Sequence, residues 1–120
     1  MKIKKYEVWL ANLDPQMGTE PGKTRPVVVI QTDLLNGTHP STVICPITTN
    51  IELQSDILRV HLKDKEAGLK KHSDILVDQL RAIDNRRLIE RQGVLSGQSK
   101  LKLMINISII LDLDTPEKAG

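Results

Sequence analysis

The chain has 120 residues, of which 39% are hydrophobic and 27% charged, and its formal net charge is +2. That is enough chain for one domain with a real core, and too ordinary a mixture for a disordered one. So small a charge excludes polyanion binding through bulk charge; a polyanionic partner requires the basic groups to be clustered.

"YEVWLANL", Tyr6 to Leu13, is rich in β-branched and aromatic residues and reads as a strand. "DPQMGTEPGKT", Asp14 to Thr24, is a loop, and a long one beside hairpin loops of about 2–5 residues. "RPVVVIQT", Arg25 to Thr32, is a strand whose unbroken apolar run predicts burial on both faces. After a turn in "LNGTHPS", Thr42 to Thr49 forms a third strand, and Pro46 predicts that it is an edge or bulged one. Ile57 to Leu62 alternates and is a fourth strand; Ser73 to Ile83 is a fifth. Helix signals come late. Asp84 is placed to cap a short helix in "NRRLIE", and Ser96 to cap a final helix from Gly97 to about Leu113. Leu101, Met104, Ile105, Ser108 and Leu111 share one face of that helix, while Leu103, Ile107 and Ile110 widen the apolar stripe, which implies heavy burial against the sheet or a partner. The expected fold is mainly β with appended helices: a small, strongly bent sheet or barrel with a C-terminal helix. Residues 1–114 are expected to form one domain and 115–120 a short disordered tail.

Aromatic content is 2%, with no Phe, which argues against a sheet that stacks bases on rings. Cys45 is the only cysteine, so no internal disulfide forms and a reducing compartment is expected. The basic start lacks an apolar run of signal-peptide length, and no window approaches a membrane span. The expected location is the cytoplasm, with no membrane association. The loops lack nucleotide-binding glycine spacing, and His39, His61 and His72 lack metal-ligand spacing, so neither metal nor cofactor is expected.

The junction between the long loop and the second strand raises the functional question. A residue before proline is held extended, and Pro26 has no amide hydrogen, so Arg25 is launched from restricted backbone at a strand end. Gly18 and Gly22 let the loop fold back toward it, and Glu20 is within reach of Arg25 or Lys23. An ordinary surface ion pair is the alternative. Thr48 closes the third strand, where a hydroxyl and nearby amides can hold a phosphate; a threonine merely suited to a strand is the alternative. In the fifth strand, alternation places Gln79 and Arg81 on a face shared with Ile75, Val77 and Ile83, so those polar groups must be paired or must face a groove.

Five stretches in order, "YEVW", "LDP", "GTEPGKTRPVVVI", "PITTN" and "VDQLRAID", resemble the MazF/PemK family of endoribonuclease toxins over nearly the whole chain. The resemblance implies a compact SH3-like barrel of the CcdB/PemK type, acting as a homodimer. It implies sequence-specific, metal-independent cleavage of single-stranded RNA, usually messenger RNA, and a cognate antitoxin whose tail occupies the same groove. By the same resemblance Arg25 and Thr48 are the catalytic pair, with Glu20 the candidate base. Met17, Thr19, Lys23, Thr49, Asn50, Gln79 and Arg81 line the RNA groove. Met17 stands where some members carry an aromatic or another apolar residue, and Asp78 where some carry glutamate; both bear on which bases are read. Two rivals share the barrel: a CcdB-like gyrase poison and a non-catalytic SH3-like binding module.

Overall fold

The computed structural model describes residues 2–114. The predicted tail lies outside the described residues. Seven strands run β1 Glu7–Asn12, β2 Thr24–Val29, β3 Ser41–Thr48, β4 Arg59–Leu62, β5 Ser73–Leu76, β6 Arg81–Asp84 and β7 Leu88–Val94, and the chain ends in helix α1, Gly97–Ile110. They form one antiparallel sheet in the order β4-β5-β3-β2-β1-β7, with β6 also paired to β3. The curled, barrel-like sheet with a C-terminal helix is the fold class expected, although the ladder does not close.

β2 is buried on both faces, as its apolar run predicts. Val27 and Val29 pack with Trp9, Leu13, Ile44 and Leu88, while Val28 packs on the opposite face with Val8, Cys45, Ile75 and Leu103. Each fully buried side chain of this size contributes about 1.5–3 kcal/mol.

β3 is not an edge strand. It pairs with β2 through Ile44–Pro46, with β6 through Ser41–Ile44 and with β5 through Ile47 and Thr48. Pro46 lies at the changeover from β6 to β5, where no ladder partner requires its missing amide donor. The predicted fifth strand is two strands. A 3-10 turn at Val77–Gln79 divides β5 from β6, keeping Val77 in the core and leaving Asp78 exposed. Strand alternation therefore fails across that stretch. The expected "NRRLIE" helix is also corrected. Asp84 does cap, accepting from the Arg86 amide, but only a 3-10 turn at Asn85–Arg87 follows before β7 begins at Leu88. Leu88 and Trp9 share the outer core cluster, and β1–β7 pairing wins over one turn of helix propensity.

Ser96 caps α1 as predicted, accepting from the Ser99 amide at 3.2 Å. Only part of the wide apolar stripe is buried. Ser99, Leu103, Asn106 and Ile107 face the core, while Leu101, Ile105, Ser108 and Leu111 are exposed. Asn106, fully buried, donates to the Asp56 carbonyl at 2.9 Å and the Arg59 carbonyl at 3.2 Å. That pair of bonds fixes the rotation of the helix, and apolar periodicity could not reveal it. Among the described residues no helix is long and apolar enough to cross a membrane.

Candidate active site

Arg25 and Thr48 come together by strand pairing. In the β2–β3 ladder Val27 stands opposite Pro46. Arg25 lies two residues before Val27 and Thr48 two residues after Pro46, so both stand just beyond the end of that ladder. A cavity of about 600 Å³ opens there, lined by both residues and by Pro26, Thr49, Lys70, Lys71, Ser73, Glu90 and Gln92.

The arginine is aimed by its own loop. Its Nε donates to the Gly22 carbonyl at 2.9 Å, which leaves Nη1 and Nη2 without a hydrogen bond to another described residue. A guanidinium fixed through one nitrogen keeps its outer fork available for an anion. Gly22 is needed for close approach rather than as a hinge. A Cβ there would stand 2.6 Å from the Gln16 Cβ and 2.9 Å from Asp14 Oδ1. Asp14 in turn accepts from the Lys23 amide at 2.5 Å, and Leu13 donates to the Lys23 carbonyl at 2.8 Å. Arg87 clasps the same base through the Asn12 and Asp14 carbonyls. The loop uses the left-handed region at Gly18, with φ +56° and open space around it, and at Lys23, with φ +64°.

Thr48 Oγ1 accepts from the Asn50 amide at 3.1 Å, so the hydroxyl proton remains free to donate. The opposite wall comes from a turn that sequence reasoning missed. Lys65, Ala67 and Gly68 all have left-handed φ, and the turn presses on β7: a Cβ on Gly68 would lie 2.2 Å from the Gln92 carbonyl oxygen, and one on Gly93 would lie 2.5 Å from the Ala67 carbonyl carbon. This contact sets Lys70 and Lys71 on the cavity that holds Arg25. The basic spacing of "KDKEAGLKKH" around a glycine was the available signal.

The other predicted residues divide. Thr49 lines the first cavity. Thr19 and Gln79 line a second, of about 480 Å³, with Glu52, Ser55, Leu58, Arg59, Leu76 and Asp78. The Asn50 carbonyl accepts from Arg59 Nη1 at 2.9 Å. Lys23 and Met17 are exposed, Met17 to 67%. Arg81 is half-buried, and its Nη1 is enclosed without a hydrogen-bond partner. Glu20 is half-buried and donates its amide to the Met17 carbonyl, but it lines neither cavity. Glu90 is the carboxylate on the first cavity. Cys45 is no nucleophile: it is fully buried, and burial pushes its thiol up to about 12. Among the described residues no three His, Cys, Asp or Glu side chains are grouped to hold a metal ion.

Residues 4–111 match the family model of the PemK-like, MazF-like toxin of type II toxin–antitoxin systems. The chain is 38% identical over 112 residues to Endoribonuclease MazF of Staphylococcus epidermidis, covering 93% of each. Its fold is similar to that of MazF from Deinococcus radiodurans, with a TM-score of 0.81 at 22% identity, covering 94% of this chain and 99% of that one. A MazE–MazF structure from the same organism gives 0.75 at 22% identity, covering 95% and 99%. With strand order, terminal helix and family model in agreement over nearly its whole length, this chain belongs to the PemK-like, MazF-like toxin family of type II toxin–antitoxin systems.

Proposed function

We propose that the chain is a cytoplasmic endoribonuclease that cuts single-stranded RNA without a metal ion. The observation that carries this reading is that Arg25 and Thr48 line one cavity together with Lys70 and Lys71. The 38% identical relative named as an endoribonuclease supports the reaction class.

RNA supplies its own nucleophile. The 2′-oxygen attacks the adjacent phosphorus, its proton passes to a base, and the 5′-oxygen leaves with a proton. The products are a 2′,3′-cyclic phosphate and a 5′-hydroxyl. Arg25 donates through its outer fork to the phosphate oxygens, offsetting charge that grows toward the transition state. Its pKa, above ~12, makes it a poor acid, so its role is electrostatic. Thr48 donates its hydroxyl to the same group. Glu20 is the proposed base. Because it stands off the cavity lining, that role requires the loop to move onto bound RNA. Met17, Thr19, Lys23, Thr49, Asn50, Gln79 and Arg81 contact flanking nucleotides.

The partners follow the same reading. An antitoxin tail competes for this groove; the fold shared with a MazE–MazF structure supports it. Coupled folding of an acidic tail against basic and apolar groups is physically sound. A homodimer is supported by Leu101, Ile105 and Ile109, an apolar row exposed on α1.

The test is incubation of purified protein with a long single-stranded RNA, in excess EDTA, with mapping of the new 5′ ends. Defined cuts bearing 5′-hydroxyls are expected. Intact RNA at every protein concentration would leave the gyrase-poison or adaptor reading in its place, and cleavage restored only by a divalent ion would reject the metal-free route.

A further inference from the structure

The segment leaving β3 borders both cavities: Thr48 and Thr49 line the first, Glu52 the second. Residues 49–52 belong to no strand or helix. Their polar contacts converge on one carboxylate. Asp74 Oδ2 accepts from the Glu52 amide at 2.9 Å and from Arg59 Nη1 at 3.0 Å. The same arginine nitrogen donates to the Asn50 carbonyl at 2.9 Å. His61 Nδ1 donates to Asp74 Oδ1 at 2.7 Å. Asp74 stands directly opposite Thr48 in one ladder and opposite His61 in the other. Its exposure is 0%.

A carboxylate buried this completely is unfavourable unless its lone pairs are engaged and a cation is near. Stability alone does not call for it, since a buried ion pair replaced by apolar groups of similar volume is often neutral or stabilising. Ile75 and Val77, the next inward-facing positions, show what the core accepts. What an apolar side chain lacks is a fixed acceptor for the Glu52 amide and an anchor for Arg59.

We propose that Asp74 is the positioning residue of the site. It holds segment 48–52 against the β4–β5 edge, so that the Thr48 hydroxyl keeps its place on the cavity it shares with Arg25 while Glu52 and Arg59 keep theirs in the second cavity. This rests on the nuclease reading for its kinetic consequence, though not for the restraint itself.

The test compares wild type with Asp74→Asn, which keeps the shape and removes the charge. Three readouts are taken: kcat and KM on single-stranded RNA, thermal melting, and amide hydrogen exchange at Asn50 and Glu52. A small misplacement of catalytic groups is expected to lower kcat about tenfold to a hundredfold. KM should change little, the fold should persist, and exchange should accelerate at Asn50 and Glu52 but not at Cys45 or Ile47. If Asp74→Asn does not fold, the double variant Asp74→Val with Arg59→Met removes the whole ion pair, and the same pattern is expected. Wild-type kcat in a folded variant would overturn the proposal, as would a loss that merely follows the fraction unfolded. Should the wild-type chain leave RNA intact, the nuclease reading fails separately, and the exchange readout decides: acceleration confined to residues 50 and 52 upholds the restraint, and unchanged exchange overturns it.

Discussion

The first cavity sets Arg25, Lys70 and Lys71 against one carboxylate, Glu90, whereas the second sets Glu52 and Asp78 against one arginine, Arg59. Clustered cations with an unspent guanidinium fork suit phosphates. A mixture of carboxylates, amide and hydroxyl groups repels phosphate but offers the donors and acceptors that a base edge requires. The two lie on either side of segment 48–52. Under the proposed function, the contrast assigns holding the backbone and reading the base to different places, one on each side of a single stretch of chain.

Substitutions can break or sharpen that division. The largest effect is expected from Arg25→Ala, which removes the principal donor to the phosphate. Loss of one such donor lowers kcat by about 10²–10³, roughly 2.7–4 kcal/mol. Melting should be nearly unchanged, because the side chain is half-buried at a strand end. Single-turnover cleavage beside a melting curve checks it, and wild-type cutting would remove the first cavity from the chemistry. Next is the pair Lys70→Gln with Lys71→Gln. It should raise KM about tenfold and flatten the dependence of log affinity on log salt by about 0.7 for each single-strand phosphate no longer neutralised. A salt titration of binding measures the slope; an unchanged slope would mean that the basic wall faces solvent rather than RNA. The smallest effect belongs to Gln79→Ala. One neutral hydrogen bond is worth about 0.5–1.5 kcal/mol, so discrimination at one base should fall roughly fivefold while the best site is still cut. Cleavage-site mapping on a mixed RNA pool shows this, and a uniform loss at all sites would assign the second cavity to the backbone instead.

Those residues were not equally legible before the fold was known. A local rule, the residue before proline, drew attention to Arg25, but a threonine at a strand end is ordinary, and its pairing with Arg25 came from the family resemblance. The strands β1 to β4 were visible for local reasons as well. Lys70, Lys71, Glu90 and Gln92 were not, because what gathers them is a meeting of two stretches of backbone far apart in sequence, with left-handed φ at Lys65 and Ala67 as well as at Gly68. Nothing in a lysine or an alanine announces such a conformation. The break at Val77–Gln79 was hidden because "ILVDQLRAI" alternates acceptably as one strand. The apolar stripe of α1 was too wide to show which part faces inward, and Asn106, polar and therefore not counted in it, lies at the centre of the buried face. Pro46 marked an interruption correctly, but there β3 exchanges one neighbour for another and keeps its pairing.

The packing of Gly68 on Gln92 has a consequence for the order in which the protein is made. Arg25 and Thr48 lie on β2 and β3, in the first half of the chain, whereas the turn that carries the two lysines packs on β7, which comes much later in the sequence. Under the proposed function, a partly made chain would therefore hold Arg25 and Thr48 before the basic wall that brings RNA to them exists.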